Sequence, residues 1–208
     1  GAMGVAGDVV AAGACGFHGG DPLVMTETVR LAGEAGVSLG AHPSFPDLQG
    51  FGRRAMQLSP RELAAVVTYQ VGALMGIAQA QGQRVSHVKP HGAMNNMACE
   101  DAAMAATIAG AVKAIDPRLI LMAPALSQLA AAGRAAGLRV ADEVFADRAY
   151  SEDGNLVPRS IPGAVLHGSA DCLAHVLRML ERGGIVTLTG QLLPCDFHSI
   201  CVHGDSPH

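Results

Sequence analysis

The sequence predicts an α/β fold of parallel strands alternating with helices, and three observations carry that prediction. Short β-branched or apolar runs alternate with longer Ala- and Leu-rich stretches at helical period, the pattern of βα units around a parallel sheet. Half of the 208 residues are hydrophobic and 15% are charged, enough apolar material for one sizeable core, so residues 1–208 read as a single domain. Polar residues gather where the strands end, as in barrels whose βα loops build the active site at one mouth.

Strands are predicted at 13–17, 38–41, 86–88, 119–122, 139–144, 164–166 and 199–202. Asp21-Pro22 opens the first helix with an N-cap aspartate and a proline at the first helical position; it runs to about residue 35 and stops at Gly36. Ser59-Pro60-Arg61-Glu62 opens the longest helix with a capping-box pattern, and Leu63, Val66, Val67, Leu74 and Ile77 fall on one side of it. Further helices are predicted over 100–115, 126–136 and 170–182.

Composition excludes several functions. The net charge is −4, and no Lys/Arg run exceeds Arg53-Arg54, which leaves no footprint for nucleic acid or an anionic membrane. No unbroken apolar run reaches the roughly 18–20 residues that span a bilayer, and no charged n-region precedes an apolar one, so a soluble, cytoplasmic protein is expected. Five cysteines without a C-x-x-C pair point to reduced, mostly buried thiols. Residues 1–2 of the opening Gly-Ala-Met read as a cloning remnant.

The strand ends hold the candidate chemistry. The first runs into Cys15-Gly16-Phe17-His18, the second into Ala41-His42-Pro43, and the third into Lys89-Pro90-His91-Gly92. The fifth leads to Glu143 and Asp147-Arg148, the last to His203-Gly204-Asp205. His18, His42 and His91 each follow an apolar strand and precede Gly or Pro. Neutral imidazole ligates transition metals, so the three are candidates for metal or substrate contact; the alternative for each is a histidine bonded to loop backbone. His87 should face opposite to Val88 and is read as structural. Lys89, one of only two lysines, can serve as a fixed cation or as a base. As a loop cation it should add little to the core.

Two loops stand out. In the Gly- and Pro-rich segment 40–54, Gly50 and Gly52 could offer backbone N–H groups to an anion beside Arg53 and Arg54; an ordered surface turn is the alternative. In 143–159, Glu143, Asp147, Arg148 and Arg159 surround a turn at Asp153-Gly154, and mutual ion pairing would order that loop.

The segments ACGFHGGDP (14–22), GAHPSFPDLQGFGRR (40–54), HVKPHGAMNN (87–96), EVFADRAYSEDGNLVPRS (143–160) and ICVHGDSP (200–207) resemble the LamB/YcsF family, that of the A subunit of bacterial ATP-dependent 5-oxoprolinase. The resemblance extends over nearly the whole chain. It implies a seven-stranded (β/α) barrel related to polysaccharide deacetylases, cleavage of 5-oxoproline to glutamate with ATP, and partner subunits B and C. The family's opening NxDLGE-type motif and final helix have no counterpart here, so the expected barrel lacks its first strand and last helix, leaving open edges that invite a homo-oligomer. For such chemistry the expected catalytic residues are Lys89, His91, Asp21, Glu143 and Asp205. His42, Asp47, Arg53, Arg148 and His203 are expected to bind substrate or phosphate. His18, His42 and His91 are the expected metal ligands, with ATP and a divalent cation (Mg²⁺ or a transition metal) as cofactors. The competing readings are a deacetylase-type metal-dependent hydrolase of a small amide and a non-catalytic binding subunit.

Overall fold

The structure, a computed structural model, describes residues 10–202. The predicted site residues His203 and Asp205, and residues 1–2, lie outside the described residues.

In chain order the strands are β1 (Val10–Ala14), β2 (Ser38–His42), β3 (Val85–Val88), β4 (Ile120–Pro124), β5 (Arg139–Phe145), β6 (Gly184–Val186), β7 (Leu192–Pro194) and β8 (Ser199–Cys201). Six of them form a curled parallel sheet in the order β1-β2-β3-β4-β5-β8, while β6 and β7 pair as a separate antiparallel hairpin. The half-barrel has β1 and β8 at its edges, and of the seven strands predicted from the sequence six belong to this sheet among the described residues. The strand predicted at 164–166 reduces to one antiparallel bridge between Arg148 and Val165. Pro162, Gly163 and Gly168 leave too short an extended run there for a ladder.

The helices are α1 (Pro22–Glu34), α2 (Pro60–Ala80), α3 (Gly92–Glu100), α4 (Ala102–Ile115), α5 (Gln128–Ala135) and α6 (Ser169–Arg182). Their starts follow the sequence signals closely. The Asp21 carboxylate accepts from the Leu23 and Val24 amides, each at 2.9 Å, and Ser59 and Glu62 close a reciprocal capping box on α2. The helix predicted over 100–115 starts at Ala102, because Asp101 caps it by accepting from Ala103 and Met104. Before it lies α3, which the sequence reading does not anticipate.

The helices bury Val29, Val67, Leu74, Ile108, Val112 and Leu129 against Leu39, Ala41, Val88 and Leu121 of the sheet. Each Val, Leu or Ile side chain, once buried, stabilises the fold by about 1.5–3 kcal/mol. By length and composition alone α2 could cross a membrane, contrary to the sequence expectation, but its Leu63, Val67, Val71, Leu74 and Ala78 are buried within this core. A second, smaller cluster of Val144, Phe145, Tyr150, Met179 and Ile185 supports the end of β5. The outer layer therefore holds the sheet, and the inner face is left to line a cavity.

Candidate active site

The cavity, about 770 Å³, lies on the concave side of the sheet. Both edge strands reach it: Val10, Ala12 and Ala14 from β1 alternate toward it, and Ser199, Ile200 and Cys201 line it from β8. The loops after β1 and β3 contribute His18 and His91, β2 ends on His42, Lys89 directly follows β3, and β5 contributes Glu143. Strand ends from across the sheet thus meet around one space.

The histidine wall is held by backbone hydrogen bonds between loops. Lys89 N–H donates to Ala41 O at 2.9 Å, His91 N–H to Pro43 O at 2.8 Å, Asp47 N–H to Phe17 O at 3.1 Å, and Ala93 N–H to Gly52 O at 2.9 Å. The His18 and His91 rings stack with centroids 3.9 Å apart and planes 6° from parallel, and the His42 ring meets His91 edge-on at 4.7 Å. One nitrogen from each ring lies within 4.8 Å of one from each of the others. Burial, then the neighbouring His91 and Arg53, lowers His18 to about 4. Burial first, then His91 and Lys89, holds His42 well below the usual imidazole range.

Gly52 is required on two counts. Its φ is +66°, and a Cβ there would lie 2.9 Å from His91 Cδ2 and 3.1 Å from His18 Cβ. Phe51 beside it also has a positive φ, 53°, which aims its carbonyl at the His91 ring while its own ring packs edge-on to both His18 and His91. Left-handed backbone at a phenylalanine is strain that a functional loop holds in place.

The opposite wall is charged. Lys89 Nζ stands 2.7 Å from Glu143 Oε2 and 3.1 Å from Cys201 Sγ. The lysine side chain is 16% exposed and the carboxylate 3%. Burial works against the ammonium, but Glu143 and the Cys201 sulfur outweigh it, so the Lys89 pKa is raised and the residue stays charged. This corrects two expectations: Lys89 is a buried ion-pair partner rather than a loop cation, and it is not tuned downward toward a neutral base. Ser199 Oγ approaches Glu143 Oε1 at 3.4 Å, and burial pushes the Cys201 thiol up to about 11.

The other predicted residues separate by position. Asp21 is outside the cavity with its carboxylate committed to the α1 cap, a correction to its expected catalytic role. Asp47 is buried, but it orders its own loop. It accepts from the Gly50 amide at 3.0 Å and from the Arg54 side chain, so substrate binding is not its position. The amides expected to cradle an anion are consumed in the same loop, since Gly52 N–H donates to Asp47 O at 2.9 Å. Arg53 lines the cavity, its guanidinium 5.2 Å from the centre of the Phe51 ring. Arg148 also lines it, but its guanidinium donates to the carbonyls of Val157 at 2.7 Å and Ala164 at 3.3 Å. The loop 143–159 is thereby ordered through these carbonyls and a turn in which Asp153 accepts from Asn155 N–H.

Sequence reasoning missed His87. It lines the cavity with only 3% exposure, and its Nε2 has no hydrogen-bond partner among the described residues. Gly40 makes room for it, because a Cβ there would come within 2.1 Å of that nitrogen. Alternation along β3 placed His87 opposite Val88, and the side opposite is the cavity.

A half-barrel with imidazoles and a buried lysine–carboxylate pair facing one cavity belongs to a class of enzyme-like α/β proteins. The chain is a member of the LamB/YcsF family, whose model matches residues 9–208. It is 63% identical to the 5-oxoprolinase A subunit of Azoarcus sp. (strain BH72), over 93% of this chain and 76% of that protein. It is 56% identical to the 5-oxoprolinase A subunit of Methylococcus capsulatus, over 93% and 75%. A crystal structure of a lactam utilization protein from Thermus thermophilus superposes with a TM-score of 0.85 at 47% identity, covering 91% of this chain and 77% of that one.

Proposed function

We propose that this chain is the A subunit of an ATP-dependent 5-oxoprolinase, opening the lactam of 5-oxo-L-proline to L-glutamate in a cytoplasmic assembly with subunits B and C. The family and the names of its relatives support the substrate class. The observation that carries the reading for this chain is the charged Lys89 held by Glu143 inside the cavity.

A five-membered lactam is an unreactive amide whose nitrogen leaves poorly. Transfer of the γ-phosphoryl group of ATP to the lactam oxygen makes the ring carbon electrophilic; water adds there, the C–N bond breaks as nitrogen takes a proton, and the acyl phosphate that remains is hydrolysed by a second water to the carboxylate and inorganic phosphate. ATP enters with a divalent cation. Lys89 stabilises negative charge that develops on the lactam oxygen, and Glu143 keeps the lysine in place and charged. Arg53 and Arg159, which also line the cavity, are positioned to meet the substrate carboxylate.

The test is glutamate release from 5-oxoproline with ATP and Mg²⁺, for this chain alone and with subunits B and C. ATP-dependent glutamate from the assembly, lost in Lys89→Met, supports the reading. No glutamate from the assembly, or full activity in the variant, overturns it. A deacetylase-type hydrolase of a small amide, a relation the three clustered imidazoles favour, would turn over without ATP. A binding subunit would assemble and yet be dispensable for turnover.

A further inference from the structure

The hydrogen-bond network assigns the protons on the three clustered imidazoles. A carbonyl oxygen only accepts, so His42, whose Nδ1 lies 2.5 Å from Lys89 O, carries its proton there and leaves Nε2 with a lone pair. By the same argument His91, whose Nε2 lies 2.8 Å from Phe51 O, is protonated on Nε2 and bare on Nδ1. Ser44 donates its hydroxyl proton to Phe45 O at 2.8 Å, so it accepts from His18 Nδ1 at 2.9 Å, and His18 Nε2 is the unprotonated nitrogen of that ring. Consequently His42 Nε2 and His91 Nδ1 face each other at 3.0 Å with two lone pairs in one gap. Two acceptors at that distance repel unless a cation lies between them.

We infer that His42 Nε2 and His91 Nδ1 form one edge of a divalent transition-metal site, which His18 completes. Each ligand is oriented from behind by a backbone carbonyl or a serine hydroxyl, the outer-shell arrangement that fixes imidazole tautomers at metal sites. The spacing selects the geometry. At metal–nitrogen distances of ~2.1 Å, neighbouring ligands stand ~3.4 Å apart around a tetrahedral ion and ~3.0 Å apart around an octahedral one. The 3.0 Å edge therefore suits a six-coordinate ion of the Mn²⁺, Fe²⁺, Co²⁺ or Ni²⁺ type. The stacked His18 and His91 rings cannot both point at one ion while parallel, so His18 turns out of the stack when it ligates. Imidazole donors separate this site from the oxygen ligands preferred by a nucleotide-bound Mg²⁺, and the inference holds whether or not ATP is the co-substrate.

Cobalt(II) is the probe, titrated into EDTA-treated, dialysed protein at pH 8 and followed by calorimetry and by visible absorption. The expected result is one equivalent bound with the weak d–d bands of six-coordinate cobalt. His42→Ala and His91→Ala should each weaken binding by at least about tenfold while far-UV circular dichroism shows the fold retained; His167→Ala, an exposed histidine away from the cluster, should bind as the parent does. If neither variant folds, His18→Ala gives the same test with a smaller expected loss. No uptake by the folded parent, meaning that a proton alone occupies the gap, would overturn the site. So would undiminished binding in the cluster variants, and intense tetrahedral bands would overturn the six-coordinate geometry.

Discussion

The two walls of the cavity bury polar groups in opposite ways. On the wall that carries His18, His42 and His91, burial holds His18 and His42 below the usual imidazole range, and backbone carbonyls and a serine hydroxyl meet the outer nitrogens of all three rings. On the wall built by β3, β5 and β8, a full ammonium and a full carboxylate compensate each other at 2.7 Å. The first wall presents lone pairs and suits a cation. The second has its charge already balanced, so it can stabilise charge that develops in a substrate without holding net charge beforehand. The difference also divides the stability of the molecule: losing one imidazole removes a neutral group, whereas losing half of the ion pair leaves a charge buried.

The largest effect should come from splitting the ion pair. Lys89→Met or Glu143→Gln alone should cost about 3–5 kcal/mol, because the remaining partner is left buried and less well compensated. For a domain of this size that lowers the melting temperature by roughly 6–20 °C. The double variant should recover most of the stability and none of the activity, which thermal melts and the glutamate assay together would separate. A single variant that melts within a few degrees of the parent would return Lys89 to the loop-cation reading.

A smaller loss is expected on the histidine wall from Gly52→Ala. The substitution places a Cβ against His91 and His18 at a φ of +66° and should cost about 1–3 kcal/mol. Because it displaces the rings, cobalt affinity should fall more than thermal stability does; equal cobalt binding would show that the loop absorbs the methyl group without moving the imidazoles.

The smallest effect lies outside both walls. Asp21→Ala removes the α1 cap and should lower stability by about 1 kcal/mol while kcat and KM for 5-oxoproline stay at parental values. A large drop in kcat with an unchanged melt would put Asp21 back among the catalytic residues.

What the sequence by itself determined is whatever depends on a few neighbouring residues. The alternation of βα units, the Asp21 and Ser59 caps and the rise of His18, His42 and His91 from strand ends are all local, because caps and strand periodicity act within a turn or a few residues. Tertiary structure decided the rest. Lys89 and Cys201, 112 residues apart in the chain, meet only because β8 pairs with β5 in the curled sheet, and the same curl turns His87 into the cavity. The Gly50 and Gly52 amides looked available for an anion until the loop folded onto Asp47 and used them. The imidazole protons were set by carbonyls of other loops, 47 residues away for His42 and 40 for His91. Charge compensation and tautomer choice depend on which groups come within about 3 Å, and only the assembled sheet brings those groups together.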